Sequence, residues 1–114
     1  MFATIMQGLR GGSEAADNID HNELVQSLAG GNVTVVDVRE ASEFASGAIA
    51  GAINVPLSSF DPNKVPREKP VVVYCVSGSR SAMAQRVLRS AGFDDVRNYR
   101  AGIGIWRMQG GKMS

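Results

Sequence analysis

The sequence is short of the residues that usually organise a site. It holds one cysteine, one histidine and one tryptophan in 114 positions. A lone cysteine excludes an internal disulfide, so nothing demands an oxidising compartment and a cytoplasmic location is expected. The single histidine, His21, falls at the start of the first predicted helix, where a solvated or end-capping role is expected, so a cysteine–histidine hydrolase lacks its base. Charge of one sign is also missing. Twelve basic residues against 11 acidic ones leave a net charge of +1, which argues against a broad grip on nucleic acid or acidic lipid. No long hydrophobic run is present. The opening Met1–Met6 is interrupted by Gln7, Gly8 and Arg10, too short for a spanning helix and without the basic start of a signal peptide, so no membrane segment is expected.

What is present suits one domain. At 114 residues with 44% hydrophobic content, the chain can form one core of helices on a sheet but not two. Gly11, Gly12 and Ser13 within residues 1–18 suggest a mobile lead-in, with the domain over 19–110 and a tail at 111–114. Asp20 and Glu23 have capping-box spacing, and Leu24, Val25 and Leu28 give one helical face closed by Gly30. Val33–Val38 reads as a strand buried on both faces. A short helix over Ala41–Ser46, a small strand within Ala52–Pro56 and one helical turn within Ser58–Lys64 follow. Val71–Tyr74 is the second strong strand. Ser81–Ala91 is the best helix, with Ala84, Val87, Leu88 and Ala91 on its apolar face and Gln85, Arg86 and Arg89 opposite. A strand at Val96–Tyr99 and a last helix at Ile103–Met108 complete the order. Strands alternating with helices imply an α/β fold with a mostly parallel sheet covered on both faces.

Cys75 is the residue reached on leaving a strand, at the end of an open sheet where ligands bind. Between it and Arg80 stand Val76, Ser77, Gly78 and Ser79, small or polar apart from one valine, and Ser81 opens the helix. Such a turn can aim several peptide N–H groups inward, and with the helix dipole it favours an anionic sulfur. Cys75 is therefore a candidate nucleophile, although a small core hydrophobe is the ordinary fate of a lone cysteine. Asp37 and Arg39 read as local charge partners at a strand end. Trp106 reads as a packing residue under the loop.

The order of several short signatures is more specific than any one of them. Val36-Asp37-Val38-Arg39-Glu40, Glu43-Phe44, Gly47 through Pro56, Tyr74-Cys75 through Gly78 to Arg80-Ser81, and finally Gly102 and Trp106 resemble the rhodanese family from Ile19 to Gly110. The resemblance implies a rhodanese-like α/β domain with a five-stranded central sheet. It also implies a sulfurtransferase whose Cys75 takes a sulfane sulfur from thiosulfate or a persulfide, holds it as a persulfide, and passes it to a thiol or cyanide. Residues 76–81 would be the cradle, with Arg80 either an anion contact or a brace reaching back to Glu43, the family-matched partner. No metal or organic cofactor is needed for that exchange.

Three positions depart from the family pattern. Ala48 stands where histidine is common, Ala101-Gly102 replaces paired glycines, and the loop carries no lysine, which leaves thiosulfate and protein persulfides as equal donors. Two rivals remain: a cysteine phosphatase, whose pattern has five residues between cysteine and arginine where this chain has four, and a redox-sensing or regulatory module that keeps the fold.

Overall fold

The computed structural model describes residues 17–114. The lead-in expected over 1–18 falls outside them except for Asp17, which pairs with Arg89 at 3.0 Å, and Asn18, which bridges to Asn98. The elements are α1 (His21–Ala29), β1 (Thr34–Asp37), α2 (Ala41–Ala45), β2 (Ile53–Asn54), β3 (Val71–Tyr74), α3 (Ser79–Ser90), β4 (Val96–Asn98) and α4 (Gly102–Met108). Two 3₁₀ turns, Leu57–Ser59 and Pro62–Lys64, occupy the stretch expected to hold one helical turn. Among the described residues, no helix is long and apolar enough to cross a membrane.

The sheet is parallel throughout, in the order β2-β1-β3-β4. Among the described residues it has four strands rather than the expected five. Beside β4 the described chain adds the isolated bridge Asn18–Asn98, after which Asp20 caps α1 and takes the chain off the sheet edge. Successive residues of β1 and β3 point to opposite faces, as strand geometry requires, and each face has its own core. Val36, Val71, Val73 and Cys75 pack with Ala84 and Leu88 of α3 on one side. Val35, Val72 and Tyr74 pack with Leu24 of α1 and with Ile103 and Trp106 of α4 on the other. Burial of both faces is why these strands read as continuous apolar runs.

Local chemistry sets the helix ends. The Asp20 carboxylate accepts from the Glu23 N–H at 2.8 Å, but the reciprocal half of the expected capping box is absent: Glu23 pairs instead with Arg97 on β4 at 2.9 Å. α3 begins two residues before its expected start, since Gly78 takes φ +95° and turns the chain directly into the helix. Its buried face also differs from expectation. Gln85 is 7% exposed and Val87 is 40% exposed, because the Gln85 amide donates to the Val96 and Asp17 carbonyls at 2.9 and 2.8 Å. Residues 111–114 lie back along 48–50: Met113 bridges to Ile49, and Ser114 N–H donates to the Ala48 carbonyl at 2.9 Å.

Candidate active site

Cys75 sits where β3 gives way to α3 and is 1% exposed, packed in the core cluster beneath α3. Its sulfur is not left to that apolar setting. The Gly78 N–H donates to Sγ at 3.1 Å, and the Ser81 hydroxyl, on the first turn of α3, lies 3.4 Å from it. Burial pushes the thiol up, but hydrogen bonding from the Ser81 hydroxyl and from the N–H groups of Ser81, Gly78 and Ser77 outweighs it, so the Cys75 pKa falls below its ordinary value. The loop rim is uncharged where it meets solvent: Val76, Ser77 and Ser79 are exposed, while Gly78 and Ser81 are buried.

Arg80 is paired with an acid of α2. Its guanidinium forms a fork with Glu43 of α2, Nη1 to Oε1 at 2.9 Å and Nη2 to Oε2 at 3.2 Å, and Oε1 also accepts from the Glu40 N–H at 2.9 Å. The Arg80 hydrogen bond, followed by the Glu40 N–H, holds the Glu43 carboxyl down at about 2. The same pairing raises Arg80. The loop's one formal charge is thereby matched by an acid from a neighbouring helix, the geometry of a brace.

Asp37 and Arg39 form a second, buried pair behind the loop. Arg39 Nη2 reaches Asp37 Oδ2 at 2.6 Å and the Gly47 carbonyl at 2.8 Å, and the Tyr74 hydroxyl donates to Asp37 Oδ2 at 2.6 Å. Tyr74 in turn accepts from the Ile49 N–H at 3.0 Å. Burial and then the Asp37 contact push the Tyr74 hydroxyl well up, so it stays a donor. Asn54 closes the set by donating to the Asp37 and Arg39 carbonyls at 3.0 and 2.9 Å. This network ties the ends of β1, β2 and β3 to the 47–49 turn, and its two charges are internally satisfied.

Trp106 packs on the opposite face from Cys75. Its ring meets Tyr99 edge-on at 6.0 Å and His21 at 5.1 Å, and its Nε1–H donates to the Lys112 carbonyl at 3.0 Å. The expectation of a packing residue under the loop is corrected: Trp106 packs in the other core, and it is Gly102, the first residue of α4, that abuts the loop. His21 is likewise not a solvated cap: Nδ1 lies 3.1 Å from the Tyr99 hydroxyl. Three further residues touch the loop or its supports: Gly102 and Tyr74, present in the sequence only as members of the ordered signatures, and Asn98, which belongs to none of them. Gly102 packs so closely that a Cβ would lie 1.9 Å from the Val76 carbonyl oxygen. Asn98 is a buried polar residue at the end of β4, next to the charged Arg97, and no pattern in the sequence marks it. Among the described residues, no group of three histidine, cysteine or acidic side chains is placed to hold a metal ion.

A cysteine at a parallel strand end, held by a peptide N–H and a hydroxyl at a helix start, defines an α/β domain with a cysteine loop that favours the anionic sulfur. The chain belongs to the family of rhodanese-like domains, whose model matches residues 20–109. It is 37% identical over 97 residues to a sulfurtransferase of Allochromatium vinosum, covering 82% of this chain and 91% of that one. It is 35% identical over 88 residues to the thiosulfate sulfurtransferase GlpE of Shewanella oneidensis, covering 75% and 86%. The human single-domain sulfurtransferase TSTD1 superposes with a TM-score of 0.74 at 30% identity, over 82% of this chain and 97% of that one. Other curated relatives are longer, and the chain spans from 18% to 62% of their length.

Proposed function

We propose that the chain is a sulfurtransferase that carries a sulfane sulfur on Cys75, with the backbone of residues 76–81 as its cradle. The Cys75 thiolate attacks the outer sulfur of thiosulfate or of a persulfide. The donor's S–S bond breaks, its electron pair leaves with sulfite or the donor thiolate, and the negative charge comes to rest on the outer sulfur of a Cys75 persulfide. A thiolate or cyanide then attacks that outer sulfur and the Cys75 thiolate is restored. No electron is gained or lost over the cycle, so no redox cofactor is called for. The thiosulfate donor and a thiol acceptor are supported by the names of relatives such as the thiosulfate sulfurtransferase GlpE and human thiosulfate:glutathione sulfurtransferase.

The observation that carries this reading is the donor set on Sγ, the Gly78 N–H at 3.1 Å and the Ser81 hydroxyl at 3.4 Å, around a thiol that is otherwise buried. It favours one anionic sulfur and stabilises it before and after transfer. A phosphatase would need its arginine turned toward the substrate's oxygens, and Arg80 is instead committed to Glu43. Incubation with thiosulfate or glutathione persulfide followed by mass spectrometry should show one added sulfur atom, removed by cyanide and absent in Cys75→Ser. No added sulfur with either donor, or unchanged transfer by Cys75→Ser, overturns the proposal.

A further inference from the structure

Asn98 is the last residue of β4 and is 2% exposed. Its amide Nδ2 donates to the Gly78 carbonyl at 3.1 Å, while its Oδ1 is buried with no hydrogen-bond partner among the described residues. Leaving a buried acceptor unanswered is costly. The cost is tolerated in one orientation only, because the Gly78 carbonyl has no hydrogen to give and the amide must turn its NH₂ edge toward it.

Gly78 is the residue that most needs such an anchor. It takes φ +95°, and glycine's broad torsional freedom does not by itself select that value. Both of its polar groups are occupied. Its N–H donates to Cys75 Sγ at 3.1 Å, and its carbonyl accepts from Asn98 and, as the first bond of α3, from the Ala82 N–H at 3.1 Å. The Ala82 bond fixes Gly78 relative to the helix. The Asn98 bond ties it to β4 and so to the sheet, whose strand β3 ends at Tyr74 next to Cys75.

Given that Cys75 is the sulfur carrier, we propose that Asn98 is a positioning residue for that chemistry, locking Gly78 to β4 so that the Gly78 N–H stays aimed at Sγ. Arg80 interacts electrostatically with Cys75 and is held by Glu43, whereas the Asn98 amide bonds to the Gly78 carbonyl, so the peptide donor on Gly78 is what Asn98 controls. The experiment is the rate of iodoacetamide alkylation against pH, which reports the one thiol of this chain directly. Asn98→Leu removes the donor, and Asn98→Asp keeps the shape while presenting an acceptor to the Gly78 carbonyl. Both should move the alkylation midpoint to higher pH, by about half a unit to one unit for Leu and more for Asp. Asn98→Ser, which removes the amide without added bulk, is read where Leu does not fold. Leu28→Ala, a destabilising change on the other face, should leave the midpoint in place. An unmoved midpoint in the folded Asn98 variants, or an equal movement in Leu28→Ala, overturns the proposal. The readout needs no sulfur donor, so failure of sulfur loading in the unmutated chain would defeat the sulfurtransferase reading and leave this result standing or falling separately.

Discussion

A buried thiolate persists only where fixed donors replace the water it has lost. At Cys75 the side-chain donor is Ser81, itself fully buried, with its hydroxyl 3.4 Å from Sγ. Ser81→Ala removes it and leaves the peptide donors, so the thiol pKa should rise; alkylation near neutral pH should slow about 3- to 10-fold, as rates against pH will show. Arg80 and Glu43 lie further from the sulfur and make a different test. The Glu43 carboxyl stands at about 2 against an ordinary 4.5. A folded-state pKa below the unfolded one contributes stability that is complete above about 4.5 and is lost as pH falls toward about 2. Each side chain is about a third exposed, so solvent screening holds the contribution below about 1 kcal/mol. Thermal melts should therefore show the unmutated chain above Glu43→Gln at neutral pH, with the gap closing across that acid window. Asp37 and Arg39 were legible as charge partners because they are two residues apart at a strand end. The Tyr74 and Asn54 contacts that complete their network come from other strands, and no spacing within one strand announces them.

The elements themselves were legible to different degrees. β1 and β3 announce themselves, since strands covered on both faces must be apolar at every position. The long helix announces Ala84 and Leu88, but Gln85 and Val87 flank that stripe on either side, and periodicity alone cannot say which is covered. The Val96 and Asp17 carbonyls decide it for Gln85, and those partners are visible only once the sheet edge is assembled. The junction of α4 with the cysteine loop is a clearer case of an element setting the site. Ile103 N–H donates to the Cys75 carbonyl at 3.0 Å, and the preceding Gly102 takes φ +80° against the Val76 carbonyl. Ala101, where the family pattern has a further glycine, sits at φ −60°, which any residue adopts, so that departure costs the fold nothing in backbone strain. Gly102→Ala places a Cβ 1.9 Å from the Val76 oxygen in a left-handed conformation. It should cost roughly 2–4 kcal/mol in urea unfolding and abolish sulfur loading of Cys75, because either α4 or the loop has to move.

At the scale of the whole molecule the sheet separates two cores, with Cys75 under α3 on one side and Trp106 under α4 on the other. Signatures that lie within 36–106 do not fix a strand count, which is why five strands were expected where the described residues hold four and the isolated Asn18–Asn98 bridge. The C-terminal residues show how the second core is closed. The Lys112 carbonyl accepts from Trp106 Nε1–H at 3.0 Å and from the Ala50 N–H at 2.9 Å, and Ser114 N–H donates to the Ala48 carbonyl at 2.9 Å. Deleting Lys112–Ser114 removes all three bonds, worth together about 1.5–4 kcal/mol at typical net values. Trp106 is the sole tryptophan, so its fluorescence reports this core alone, and the deletion should shift its emission to the red as the indole gains water. The 47–49 turn, along which this C-terminal strap lies, also receives Arg39 and Tyr74 of the buried network, and Tyr74 belongs to the same core as Trp106. Because that network is satisfied internally by Asp37, it should hold its geometry when the strap is lost. The truncated chain, kept well below its melting temperature, should then load sulfur on Cys75 and keep its alkylation midpoint. A displaced midpoint alongside the red shift would mean instead that the two faces of the sheet act as one unit and that the strap is part of the sulfur site.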